Sequence, residues 1–267
     1  RAVGGDAVPV RETRRPNADP HEYEPRPKDV QAVADADVLV TSGLGLDGWA
    51  GELIDDSGSD AVVVDLGATV RDPLPAGDGE SGSDPHWGHD PRNVVVATAA
   101  LERALATADP ARAAAIRRSA ASYRARVARD DRALLACLRR LPAAQRRIVT
   151  DHDAFGYLAR RYGIDVVGTV IPSQTTRAQA SAGDLARLER TIRREGVTAV
   201  FPETSVNADL ARRLARDTGA SADHTLYGDT LGPRDGRAGT YLGMLATNGQ
   251  ELLSGMSGGR PRCRIAS

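Results

Sequence analysis

Residues 109–141 read DPARAAAIRRSAASYRARVARDDRALLACLRRL, and this stretch decides the fold. Asp109 and Pro110 supply an N-cap and a proline for the first helical position. Behind them Ile116, Ala120, Tyr123, Val127, Leu134, Leu138 and Leu141 recur mostly at steps of three and four, the spacing of one helix face. From Pro110 to Leu141 is 32 residues, or about 48 Å of helix. That exceeds the usual globular length and falls near the middle of a 267-residue chain. It reads as a strut between two lobes. A pair of shorter helices broken at Asp130 and Asp131, which interrupt the apolar seam, is the alternative. The expected division is a first lobe over 1–108, the connecting helix over 109–142, a second lobe over 143–256 and a Gly- and Arg-rich tail over 257–267 that frays.

Both flanks alternate strand and helix. Before the strut, residues 37–42 (DVLVTS) and 61–67 (AVVVDLG) read as short buried strands, with helical spacing over 46–54 between them. Residues 71–83 turn to Gly, Asp, Ser and Pro, an exposed loop, and 93–105 are helical. After the strut, strands are expected at 147–150, 166–171, 197–201 and 224–227. Helices are expected at 154–162, 183–195, 208–218 and 240–253. The fold class is therefore α/β: two Rossmann-like lobes with parallel sheets, joined by a long α-helix, with a cleft between them.

Thirty-five basic and thirty-six acidic residues give a net charge of -1, which argues against a nucleic-acid platform. Hydrophobic residues make up 41% and charged residues 27%, the balance of a chain that folds around a core. Lys28 is the one lysine, a bias we attribute to GC-rich coding. Ten aromatic residues leave core packing to Ala, Val, Leu and Ile. No run approaches the ~20 apolar residues that span a bilayer, so a soluble protein is expected. Cys137 and Cys263 are too few for a disulfide framework or a Cys-rich zinc module; they form one bridge or stay free. The chain opens at Arg1 without an initiator Met or a signal peptide, so a further segment upstream is expected.

Histidines His21 and His86 lie in polar turns, and His152 directly follows an expected strand, as does Asp229. In parallel α/β lobes the carboxyl ends of strands face the ligand crevice, which puts His152 and Asp229 on one edge of the second lobe. His21 and His86 sit on loops of the first. Their spacings of 65, 66 and 77 residues match no local zinc-finger pattern, so convergence means a site between lobes. Three imidazoles and one carboxylate suit tetrahedral zinc. Four protein ligands leave no open position, which favours holding an ion over using it in catalysis.

The chain resembles the substrate-binding proteins of zinc/manganese ABC transporters. The resemblance is carried by Asp19-Pro20-His21-Glu22-Tyr23-Glu24-Pro25, Ala36-Asp37-Val38-Leu39-Val40 with Gly43-Leu44-Gly45-Leu46, and Asp84-Pro85-His86-Trp87 with Asp90-Pro91-Arg92-Asn93. It continues through His152-Asp153-Ala154-Phe155-Gly156-Tyr157, Arg161-Tyr162-Gly163, Phe201-Pro202-Glu203, Asp229-Thr230-Leu231-Gly232, Thr240-Tyr241 and Asn248. It implies two lobes on one rigid helix and metal ligands at His21, His86, His152 and Asp229. It also implies an extracytoplasmic protein, periplasmic or lipid-anchored, that works as a monomer, does no chemistry and delivers its ion to a membrane permease. In that family a histidine as third ligand goes with zinc and a glutamate with manganese, so His152 points to zinc. Nitrogen donors point the same way, because manganese favours harder oxygen ligands. A manganese carrier or adhesin on the same fold is the alternative. A zinc hydrolase, with Glu203 as base, would need an HExxH-like signature that the chain lacks. A binder of organic solutes would need more aromatic platforms.

Three departures from the family pattern stand out. The family's first strand and helix should precede residues 3–6, so the first lobe is expected to be incomplete. The loop before His86 carries no histidine. His89 stands where the family does not call for one; a supporting or surface role is expected for it ahead of a ligand role. Glu203, at a strand end, is the expected acceptor for the far N–H of a ligand ring, ahead of Asp151 and Asp153, which would otherwise cap a helix. Trp87 is expected to pack beside the site, and His224 to be a packed or hydrogen-bonded strand residue.

Overall fold

The computed structural model describes residues 2–5, 8–13, 15–77, 79–259 and 265. Asp6, Cys263 and most of the expected tail lie outside the described residues, although Ser257 still belongs to the last helix.

The first lobe contains α1 (Pro27–Ala34), β1 (Val38–Thr41), α2 (Ala50–Ser57), β2 (Val62–Asp65) and α3 (Pro91–Ala108). β1 and β2 pair in parallel, Val38 opposite Val62 through Thr41 opposite Asp65. The apolar runs predict buried strands, and here the structure corrects the reading. Val40, Val62 and Val63 are 49%, 57% and 47% exposed, because the described sheet is two strands wide and α3 packs on one side of it.

The strut α4 runs Ala113–Leu138, 26 residues, or about 39 Å. It is shorter than the sequence suggests for a local reason. Asp109 accepts the Arg112 N–H and opens a separate 3-10 turn over Pro110–Arg112. Asp130 and Asp131 do not break it. Both are buried, and Asp131 receives two hydrogen bonds from Arg161 and one from the Tyr162 hydroxyl, so a buried charge is matched by a cation of the second lobe. The two ends of α4 lie in different cores. Ala113, Ile116 and Ala120 pack with Val3 and Ala106. Leu134, Cys137 and Leu138 pack with Ile148, Phe155, Leu158, Phe201 and Leu252. At about 1.5–3 kcal/mol for each large apolar side chain, freeing either end is costly. Cys137 is disulfide-bonded.

The second lobe contains β3 (Arg147–Thr150), α5 (Gly156–Tyr162), β4 (Asp165–Thr169), α6 (Ala182–Glu195), β5 (Val200–Phe201), α7 (Asp209–Thr218) and α8 (Tyr241–Ser257). The sheet order is β4-β3-β5, all parallel. The strand expected at 224–227 shrinks to one parallel bridge, Leu226 with Glu203. The reason is visible next door: the Asn248 side chain takes both the N–H and the carbonyl of Tyr227, so no ladder continues. The result is an α/β protein of two parallel-sheet lobes joined by a long helix.

Candidate metal centre

Strand register explains why distant residues meet. Thr150 of β3 lies opposite Phe201 of β5. Two residues beyond each, His152 and Glu203 leave the sheet at the same carboxyl edge. Glu203 Oε1 accepts both the backbone N–H of His152, at 3.1 Å, and its ring Nδ1–H, at 2.9 Å. Glu203 is bridged in turn to Leu226, three residues before Asp229. From the first lobe, His86 opens the 3-10 turn Trp87–His89. Its ring Nδ1–H donates to Asp84 Oδ1 at 2.8 Å, and the same oxygen accepts the His86 backbone N–H at 2.9 Å. His21 ends a turn in which Asp19 Oδ1 accepts its N–H at 2.8 Å.

His21, His86, His152 and Asp229 each present a ligand atom to one point, all within 4.8 Å of one another. The Nε2 atoms of the three histidines and both oxygens of Asp229 are buried with no hydrogen-bond partner. Asp229 Oδ1 lies 3.2 Å from His86 Nε2 and 3.8 Å from His21 Nε2, and its Oδ2 lies 3.5 Å from His152 Nε2. These approaches are not aligned as hydrogen bonds, because the lone pairs aim at a shared centre. With Nδ1–H of His86 and His152 committed to carboxylates, their neutral rings turn lone pairs inward. Buried acceptors facing one another without a donor are unfavourable unless a cation sits between them.

The electrostatics say the same. Burial disfavours the charged form of His86, but the Asp229 and Asp84 carboxylates outweigh it and push the ring up to about 9. Burial also opposes protonation of His152, and Glu203 and Asp229 overcome it to raise that ring well above its ordinary value. Burial would raise Asp229, yet the surrounding imidazoles, His152 foremost, hold it well below the usual carboxylate range. The site attracts positive charge, and protons compete for the place a metal would take.

A sequence profile described as zinc-uptake complex component A, periplasmic (ZnuA), matches residues 1–255. The chain belongs to the ZnuA family. It is 32% identical to the manganese-binding lipoprotein MntA of Halalkalibacterium halodurans over 90% of this chain and 78% of the relative. It is 30% identical to the iron-binding protein YfeA of Yersinia pestis over 91% and 78% of the two chains. The structure of the periplasmic zinc-binding protein TroA from Treponema pallidum superposes with a TM-score of 0.88 at 26% identity, covering 96% of this chain and 93% of that one. The ZnuA family consists of extracytoplasmic, metal-binding solute-binding proteins of ABC transporters, and not of enzymes. The metals named for these relatives differ, so the family gives the class of cargo and not the ion. Among the described residues no helix is long and apolar enough to cross a membrane.

Around this ZnuA-family site the other expected residues take distinct places. His89 is buried and directs Nε2 to the Gly228 carbonyl at 2.8 Å. Burial and the neighbouring His86 hold it down to about 4. Asp151 does not touch a ligand ring; it accepts the Glu203 N–H at 2.7 Å, and burial together with Glu203 pushes it up to about 7. Neither Asp151 nor Asp153 caps α5. Trp87 packs with Ala97 and Tyr157 and donates to the Ser42 carbonyl. His224 is not in a strand; partly buried, it pairs with Glu251 at 2.9 Å. Asp84 is the partner that sequence reading passed over. Its signal was its position two residues before His86, the spacing of a turn closed by an aspartate side chain. Three bonds also tie the lobes: Thr176 donates to Asp19, and Ser173 and Gln174 donate to Glu80.

Proposed function

We propose that this protein captures a zinc ion with His21, His86, His152 and Asp229 and delivers it to an ABC permease for import, working as a single chain outside the cytoplasm. The observation that carries the reading is the set of buried, unpartnered donor atoms aimed at one point. Three nitrogens and a carboxylate match zinc by ligand type. Glu203 and Asp84 hold two of the rings by their far nitrogens, as supports of metal-binding histidines do. The lobes are assigned to 1–108 and 143–256 about the connecting segment 109–142. Because α4 is embedded in both cores, uptake and release run through local movement of the loops at 19–21, 79–83 and 171–177, not through rotation of whole lobes.

A manganese carrier is the second reading. It is favoured by the two unpartnered oxygens of Asp229, which allow a fifth, harder contact, and by the manganese named for the MntA relative. The deciding experiment is a competition titration of zinc against manganese, with metal analysis of wild type, His152→Ala and Asp229→Ala. Zinc should win, and each substitution should weaken it about tenfold or more. Preference for manganese would replace the ion; zinc binding untouched in both variants would overturn the site.

A further inference from the structure

We propose that His89 is a positioning residue: across the cleft, its Nε2–H holds the Gly228 carbonyl and so fixes the Asp229 carboxylate against His86. The inference rests on the ligand set proposed above. His89 is three residues past His86, at the end of the 3-10 turn Trp87–His89. His89 is 5% exposed and its ring lies on Phe155 with ring centroids 4.8 Å apart, and Phe155 itself is fully buried. The ring therefore has little freedom. Its bond to Gly228 joins residues 139 apart in the chain, from different lobes. Because the partner is a carbonyl, the imidazole must be the donor.

What is held matters because Gly228 immediately precedes Asp229. On the other side of Gly228, both backbone groups of Tyr227 are gripped by Asn248 of α8. Gly228 cannot carry a side chain, since a Cβ there would lie 2.0 Å from Glu203 Oε2. The second lobe thus supports the segment from two directions, and His89 supplies the hold from the first lobe. One further bond stitches the same turn: the Tyr241 hydroxyl donates to the Gly88 carbonyl at 2.9 Å. The consequence is legible in the site. The shortest ligand-to-ligand approach to Asp229 is that of His86, at 3.2 Å, against 3.5 Å and 3.8 Å for the other two rings. The two ligands joined through the latch are the two held closest, so a metal meets a preformed pair.

The test measures zinc release into excess chelator and the visible spectrum of the cobalt(II)-loaded protein. Glutamine places an N–H near the position of the histidine Nε2; methionine has similar length and no donor. His89→Met should release zinc about tenfold faster and shift the cobalt bands, and His89→Gln should stay within about threefold of wild type on the same scale. Tyr241→Phe, which cuts the neighbouring bond without touching Gly228, controls for general loosening and should leave the cobalt bands in place. If His89→Met does not fold, His89→Leu takes its place in the comparison. Release and cobalt bands equal to wild type in His89→Met, with His152→Ala impaired, would overturn this inference alone, even if Tm fell. Release equal to wild type in His152→Ala as well would overturn the ligand set, and this inference with it.

Discussion

The tripeptide Asp-Pro-His occurs twice, at 19–21 and at 84–86, and the two copies behave alike only as far as the backbone. In each, the aspartate Oδ1 accepts the histidine N–H two residues on, at 2.8 and 2.9 Å, a turn that the sequence itself dictates. Beyond that they part. Asp84 uses the same oxygen to hold the ring of His86, and its carbonyl accepts from the Tyr157 hydroxyl of the second lobe. Asp19 turns its other oxygen away from its own histidine to Thr176, in the second lobe. The side chain of His86 is 1% exposed and that of His21 is 7% exposed. One proposed ligand has its ring held by its own turn; the other is positioned by a contact between lobes. Local sequence sets where a ligand's backbone goes, and tertiary surroundings decide how firmly its ring points.

The largest effect that this contrast anticipates is on affinity. Asp84→Asn keeps a side-chain oxygen for the turn but removes the carboxylate charge behind the ring. It should weaken zinc binding about 10- to 100-fold. Asp19→Asn, which touches no ring, should cost less than about threefold on the same scale. Titration calorimetry of the two variants checks this. Equal losses would mean that the two turns serve their histidines in the same way, and the contrast would be broken.

Part of the candidate site was legible because strand ends face the cleft: the sequence puts His152 and Asp229 on one edge of the second lobe and Glu203 at a strand end. The existence of α4 was legible from its seam, but its ends were not, because the 3-10 turn opened by Asp109 looks like helix in sequence. The short helix α1 was missed. It has eight residues, of which only Val30, Ala32, Val33 and Ala34 are apolar side chains beyond its first proline, too few turns for a periodicity to show. The valines of β1 and β2 read as buried because burial depends on what covers a strand, which the strand's own residues do not state. The bond from His89 to Gly228 had no sequence signal at all, since neither residue type implies the other. The same holds for the difference between Asp19 and Asp84, which sit in identical tripeptides.

A smaller effect lies in the pH dependence of the metal-free protein. The folded value of His86, about 9, lies above the ordinary 6.5, so its charge pairing stabilises the fold fully below about pH 6.5. That contribution is lost as pH rises through about 9. Asp229 is depressed, so its contribution is present above about pH 4 and is lost as pH falls toward its folded value. Metal-free Tm should therefore decline by several degrees between pH 6.5 and 9.5. Zinc-loaded Tm should not share that decline, because the ion replaces the proton. Thermal melts across this range, with and without zinc, test the sign. Asp84→Asn should flatten the metal-free slope and Asp19→Asn should not, which sharpens the contrast by a second, independent measurement. A metal-free Tm that rises over this range would show that the imidazolium pairing does not support the fold.

The smallest expected effect isolates the contact between lobes that His21 relies on. Thr176→Val keeps the shape of the side chain and removes the hydroxyl that donates to Asp19. A single partly exposed hydrogen bond contributes about 0.5–1.5 kcal/mol net, so zinc release should quicken about threefold. Association should change little, because the loss falls on the closed state and appears mainly in the off-rate. Stopped-flow release into chelator resolves a change of this size. If release from Thr176→Val matched wild type while Asp84→Asn bound weakly, His21 would need no hold from the second lobe. The less deeply buried of the two histidines would then be ordered by its own turn, and the asymmetry between the two tripeptides would rest on Asp84 alone.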